Sequence, residues 1–318
     1  MTTAVATPPA AADSPPAAAA VAESKPIRQR PPIGFILACT FLIVLVVFSV
    51  FADYLPFIRY PDVKVPGPNN ARPQPYNWGP STTAWFGTDR LAQDVFAKCI
   101  YGARVTLQIG LFATAFGIIV GGFLGVVAGY FRKTTDRVVS VITDCLLAIP
   151  ALLLAIILVS RLDDVRADIG WLGWLDRKWQ LVFTLGILAV APLARIVRAQ
   201  TLSLREREFV LAARSLGAKP TRVIFREIMP NLIPAIVTVA FTGLSIIIAA
   251  EGALAFLGLG VEIGTPTWGK LINDNRNSID TAWWAVLFPC LMLFLTVYSF
   301  NIIGDRLSRR FDIRQAGV

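Results

Sequence analysis

The chain has 318 residues, of which 55% are hydrophobic and only 16% charged, with a mean hydropathy of +0.61; a water-soluble domain carries more charge, so most of this one is built for lipid. It contains no histidine, which removes the commonest general base, proton shuttle and metal ligand and counts against an enzyme. Cys39, Cys99, Cys145 and Cys290 form no C-x-x-C pair and read as small buried hydrophobes rather than a metal or redox site, and the net charge of +9 tracks membrane topology rather than a nucleic-acid-binding face.

Residues 1–32 are rich in Ala and Pro without a helical apolar period, which predicts a disordered tail. The apolar run from Ile33 to Ala52 is too long for the h-region of a signal peptide and ends at Asp53 without a convincing cleavage site, so it reads as a retained anchor. A helix rises only about 1.5 Å per residue and needs about 20 apolar residues to cross the hydrocarbon core. Six stretches meet that requirement: 33–52, 105–130, 138–160, 179–199, 232–257 and 281–304. The predicted fold is all-α, a six-transmembrane-helix bundle. It divides into the tail 1–32, a first span with an outer segment (33–104), a five-helix core (105–304) that includes an inner loop at 200–230, and a basic tail (305–318).

With the N-terminus inside, the inner segments 1–32, 131–137, 195–230 and 305–318 hold 18 Lys/Arg against 8 Asp/Glu, whereas the outer segments are nearly balanced. This is the positive-inside pattern of a multi-pass plasma-membrane protein with both termini cytoplasmic. All eight tryptophans (Trp78, Trp85, Trp171, Trp174, Trp179, Trp268, Trp283, Trp284) then fall on the outer side or its rim, as an interfacial belt or a docking surface.

In the second span Gly117, Gly121, Gly125 and Gly129 recur every fourth residue and make a ridge without side chains, along which another helix can approach closely. Asp144 and Glu251 are the acids inside spans, where an uncompensated charge costs at least ~2.5 kcal/mol. Each is expected to pair, protonate or face water, so both are candidates for a substrate pathway, with an ion pair an equal alternative for Asp144. They belong near opposite membrane faces and do not form a catalytic dyad. A proton-coupled secondary carrier is the alternative that two such acids leave open, although no internal repeat accompanies them.

The inner loop is more organised than a connection requires. From Ser203 to Pro220 it reads as a short helix: Ser203 and Glu206 fit an S-x-x-E capping box, Gly217 suits the left-handed residue that closes a helix, and Pro220 prevents its continuation. If the fourth span runs straight into it, the box is accidental. Phe209, Ala213 and Leu216 share a face, Ala212 and Gly217 leave the backbone open, and Arg205, Arg207 and Arg214 surround it with charge, as in a helix that plugs into a groove. Asn231 is a candidate cap for the fifth span.

Ala212-Ala213, Gly217 and Met229-Pro230-Asn231 resemble the EAA loop of ABC importer permeases, with Leu211 in place of the motif's glutamate and Glu227 where isoleucine is usual. Further matches are Trp85-Phe-Gly-Thr-Asp89, Asp94, Tyr101-Gly-Ala-Arg-Val105, Asp144 to Pro150, Phe256-Leu-Gly-Leu-Gly260 and Pro266-Thr-Trp-Gly269, with Ala92-Gln93 replacing a usual Gly-Arg. Together they resemble the second permease of dipeptide and oligopeptide importers, over about residues 33–313. The resemblance implies a coupling helix in which Glu208, Phe209, Ala212, Ala213, Arg214 and Gly217 meet an ATPase. It also implies a sibling permease, two cytoplasmic ATPase subunits or domains, an extracytoplasmic peptide-binding protein, and an outer amphipathic helix around Asp89 to Tyr101. No G-x-x-x-x-G-K-[ST] loop occurs, so ATP and Mg are expected on the partners and no cofactor on this chain.

Overall fold

The computed structural model describes residues 33–66, 76–168, 175–262 and 264–315; the predicted tail 1–32 lies outside the described residues, as do Trp171 and Trp174. Among the described residues the regular elements are all helices, with two isolated β-bridges in the segment between the first two. Helix α1 is Ile33–Phe51, α2 Val95–Phe131, α3 Lys133–Ala148, α4 Ala151–Asp168, α5 Arg177–Arg205 and α6 Glu208–Ser215. A helix follows over Pro220–Leu259 (α7), kinked near its end where Gly258 has φ +85°, then α8 (Trp268–Asn275) and α9 (Trp284–Gln315).

The third predicted span is not one helix. Pro150 disfavours helical geometry at the residue before it, and Ile149 is accordingly extended (φ −87°, ψ 130°), so α3 and α4 meet at 94°. The outer amphipathic helix expected around Asp89 to Tyr101 is also absent as a separate element. Asp94 accepts a hydrogen bond from the Phe96 amide at 2.9 Å and caps α2 there, making that helix 37 residues, or about 55 Å, long. Residues 305–315, expected as a tail, continue α9.

Lipid tails are as apolar as leucine, so helices inside a membrane gain their association from close packing rather than from leaving water. The glycine ridge of α2 does this against α5. A Cβ at Gly121 would lie 2.6 Å from the Val190 carbonyl oxygen, and one at Gly125 2.6 Å from that of Ala194, while Gly117 and Gly129 meet Ala189 and Thr201. A second convergence joins α1, α2, α7, α8 and α9 around Leu45, Ala103, Ile248, Trp268, Met292 and Leu293. There Gly252 of α7 and Gly269 of α8 touch so closely that a Cβ on Gly269 would meet the Gly252 backbone at 2.5 Å.

The segment between α1 and α2 straps the end of the bundle remote from α6. Asp89 Oδ1 accepts from the amides of Leu91 and Gln93 at 2.8 and 2.9 Å, and Lys98 pairs with its other oxygen. Arg104 donates to the Ser49 and Val50 carbonyls at the end of α1, satisfying groups the helix leaves unpaired. It also meets Asp53 at 3.0 Å, and Tyr101 donates to the same carboxylate at 2.8 Å. The Tyr101 hydroxyl first, and then Arg104, hold the Asp53 carboxyl below the usual carboxylate range.

The tryptophans do not form a uniform belt. Trp78, Trp85 and Trp283 are exposed, but Trp268 is fully buried and donates to the Cys99 carbonyl at 3.0 Å, and Trp284 donates to that of Thr88 at 3.1 Å. An indole buried with its N–H satisfied is a structural anchor, so these two hold α8, α9 and the strap to α2. The cysteines divide similarly: Cys99 is buried and Cys145 exposed.

Candidate functional site

The loop between α5 and α7 forms the candidate site. Helix α5 extends to Arg205, so Ser203 lies inside it and the Ser203/Glu206 capping box is accidental; α6 instead follows Arg207, whose side chain makes no capping hydrogen bond. Its C-terminus is closed as the sequence predicted. Gly217 has φ +79°, its amide donates to the Arg214 carbonyl at 2.9 Å, and the Ala218 amide donates to that of Ala213 at 3.1 Å, the two bonds of a Schellman closure. Only glycine adopts that conformation without cost, and nothing lies within 4 Å of where its Cβ would be. Pro220 begins the next helix at its first turn, where a missing N–H is harmless. Pro230 has no N–H to offer the Arg226 carbonyl, and the helix ahead of it widens into a π turn over Val223–Ile228. Asn231 therefore caps nothing; its side-chain amide donates to the Glu227 carbonyl at 2.7 Å within a continuous helix.

What seats α6 on the bundle is Val210, which the sequence reading did not single out. It is fully buried among Val126, Tyr130, Val197, Val223, Ile224, Ile228 and Leu232, drawn from α2, α5 and α7. Glu208, Phe209, Ala212, Leu216 and Gly217 are exposed on the helix and its closing turn, Leu216 at 88%, while Ala213 is half-buried. Arg214, expected at the partner contact, is also half-buried: its guanidinium lies over the Tyr130 ring at 4.9 Å, with Arg205 at 5.7 Å. Arg205 donates to the Tyr130 carbonyl at 2.7 Å, and Arg132 pairs with Glu206, so the turn after α2 and the turn before α6 are fastened together. The site is a short helix with an apolar, small-residue outer surface, fixed from behind to three long helices.

The two intramembrane acids differ in environment. Glu251 is fully buried between α2, α7 and α8, with Thr106 donating to one oxygen at 3.3 Å and Thr267 beside it. Asp144 pairs with Arg195 at 2.6 Å and remains exposed on the surface of the subunit. Sequence reasoning counted Arg195 with the inner loop; the continuation of α5 to Arg205 puts it well inside the helix. No group of His, Cys, Asp and Glu fit to hold a metal occurs among the described residues.

Residues 121–314 match the family described as the binding-protein-dependent transport system inner membrane component. The dipeptide transport system permease protein DppC of Alkalihalophilus pseudofirmus is 38% identical over 87% of this chain and 85% of its own length. The glutathione transport system permease protein GsiD of Pectobacterium atrosepticum is 34% identical over 87% and 86%. Among solved structures, an inward-facing form of the MetNI methionine ABC transporter superposes with TM-score 0.56 at 20% identity, over 68% of this chain and 97% of that one. At that identity the likeness concerns the fold, which is that of type I ABC importer permeases. The chain belongs to the family of binding-protein-dependent transport system inner membrane components. It is a multi-pass permease subunit of an ABC importer, a class that works with ATPase, substrate-binding and second permease partners; ATP hydrolysis resides on separate subunits and this chain is not an enzyme.

Proposed function

We propose that the chain is the second permease of a peptide importer, carrying dipeptides or oligopeptides inward by alternating access between its own bundle and that of a related permease. The observation that carries the coupling half of this reading is the α6 surface, on which Glu208, Phe209, Ala212, Leu216 and Gly217 face outward while Val210 is locked into the bundle. Two cytoplasmic ATPase subunits, holding the ATP and Mg, are the proposed partners, one of them receiving α6. Arg214 and Ala213 contribute from behind that surface, transmitting its movement to α2 through Tyr130. The excess of Lys/Arg on the α6 side supports cytoplasmic termini and an extracytoplasmic peptide-binding protein at the opposite end. Peptide cargo is supported by relatives named for dipeptide and for glutathione, itself a tripeptide.

The test is purification of the subunit from its native membrane in mild detergent, with mass spectrometry of what accompanies it, beside a Gly217→Trp variant. Recovery of an ATPase and a sibling permease, with the ATPase lost from the variant while the variant still inserts, is the expected result. A Gly217→Trp subunit that retains its ATPase and transports normally would remove α6 as the seat.

A further inference from the structure

The ion pair between Asp144 and Arg195 lies within two of the predicted spans. Asp144 is 11 residues into α3 and Arg195 is 10 residues before the end of α5. At about 1.5 Å per residue both lie roughly 15 Å from the α6 end of the bundle, inside the predicted spans and in the half of the membrane nearer α6. Yet the pair is not sheltered by its own subunit: the Arg195 side chain is 56% exposed and that of Asp144 65%. Charges within a span avoid lipid and face the bundle interior or a water-filled passage, so the surface that carries this exposed pair is one the assembled importer covers or hydrates. The neighbouring pair behaves differently. Arg198 is gripped by Asp136 through both carboxylate oxygens, and both side chains are more buried, as in a structural ion pair. Between the two pairs lies a cleft of about 190 Å³ bordered by Ser140, Thr143, Asp144, Arg195 and Arg198.

Resting on the peptide-importer reading, we propose that Asp144 and Arg195 form a cargo site on the passage face of this subunit, which takes the two charged termini of a zwitterionic peptide. Asp144 receives the ammonium and Arg195 the carboxylate. The passing peptide carries one charge of each sign, and an exposed pair linked by a single 2.6 Å contact can open to exchange its internal partner for both of them. No net charge is then left unpaired within the spans, either with cargo bound or without it. The guanidinium fork suits a carboxylate.

The experiment uses the complete importer in proteoliposomes, loaded with ATP and supplied with binding protein and labelled Ala-Ala. The variants are Asp144→Asn, Arg195→Gln and the two combined. A cargo site predicts that each single variant lowers the initial uptake rate by about tenfold or more, the equivalent of one lost charge-assisted hydrogen bond, and that the double variant is no better than the worse single one. A purely structural pair predicts the reverse: each single change strands a charge in the membrane, and the double change relieves it. Recovery of the double variant to within about twofold of wild type would therefore overturn the proposal, as would full uptake in either single variant. A wild-type complex that hydrolyses ATP and takes up no dipeptide would instead overturn the peptide-importer reading beneath it.

Discussion

Single glycines of α2 separate packing from mere flexibility. Gly121 and Gly122 are neighbours in sequence, but a Cβ at the first strikes the Val190 carbonyl whereas one at the second has nothing within 4 Å. Gly121→Val is expected to cost about 1–3 kcal/mol by forcing α2 from α5. Gly122→Ala is expected to be neutral or slightly stabilising, since alanine is the better helix former. Thermal unfolding of the detergent-solubilised subunit distinguishes them. Asp53 is the second case at this scale. Its carboxyl is held below the usual range, so the stabilisation it provides is complete above its unfolded-state pKa and is lost as pH falls through the lower folded-state value. Asp53→Asn should therefore melt below wild type at neutral pH, and the gap should close in acid; an equal gap at both pH values would contradict the clasp with Tyr101 and Arg104.

The proposed coupling element is α6, and its two sides predict opposite phenotypes. Val210→Asp buries a carboxylate in an apolar cluster with no partner, which should unseat the helix and lower the melting temperature of the subunit. Leu216→Glu alters a side chain that is 88% exposed, so the melting temperature should stay as it is while co-purification of the ATPase falls. A stable Val210→Asp subunit, or a Leu216→Glu subunit with full ATPase recovery, would contradict the assignment of the faces. The amphipathic spacing of this loop was legible in the residues, and so was its glycine closure. The capping box was not interpretable from spacing alone, because the same Ser and Glu serve equally as the last turn of α5, and only the length of that helix decides. Arg214 illustrates the same ambiguity: a charged residue beside an apolar face reads as surface until Tyr130, 84 positions earlier in the sequence, is found beneath it.

For the whole molecule, the source of the driving energy separates an ABC importer from the proton-coupled carrier that two intramembrane acids first left open. Uptake into vesicles holding the assembled complex should require ATP and survive a protonophore. Uptake abolished by the protonophore with ATP present would point to the carrier instead. Glu251 is buried against Thr106 and Thr267, whereas Asp144 is exposed and paired with Arg195, so the two acids stand in different environments.

The sequence by itself determined the solvent, the number of crossings to within one bent pair, the glycine seam of α2 and the closing turn of α6, because each depends on local composition or on spacing along one helix. Tertiary structure alone decided that Pro150 breaks the third span, that Trp268 and Trp284 are anchors rather than a belt, that Val210 seats α6 and that Arg195 meets Asp144. These depend on which residues far apart in sequence share one level of the bundle. Helical periodicity assigns a residue to a face, but only the packed neighbours determine what that face meets.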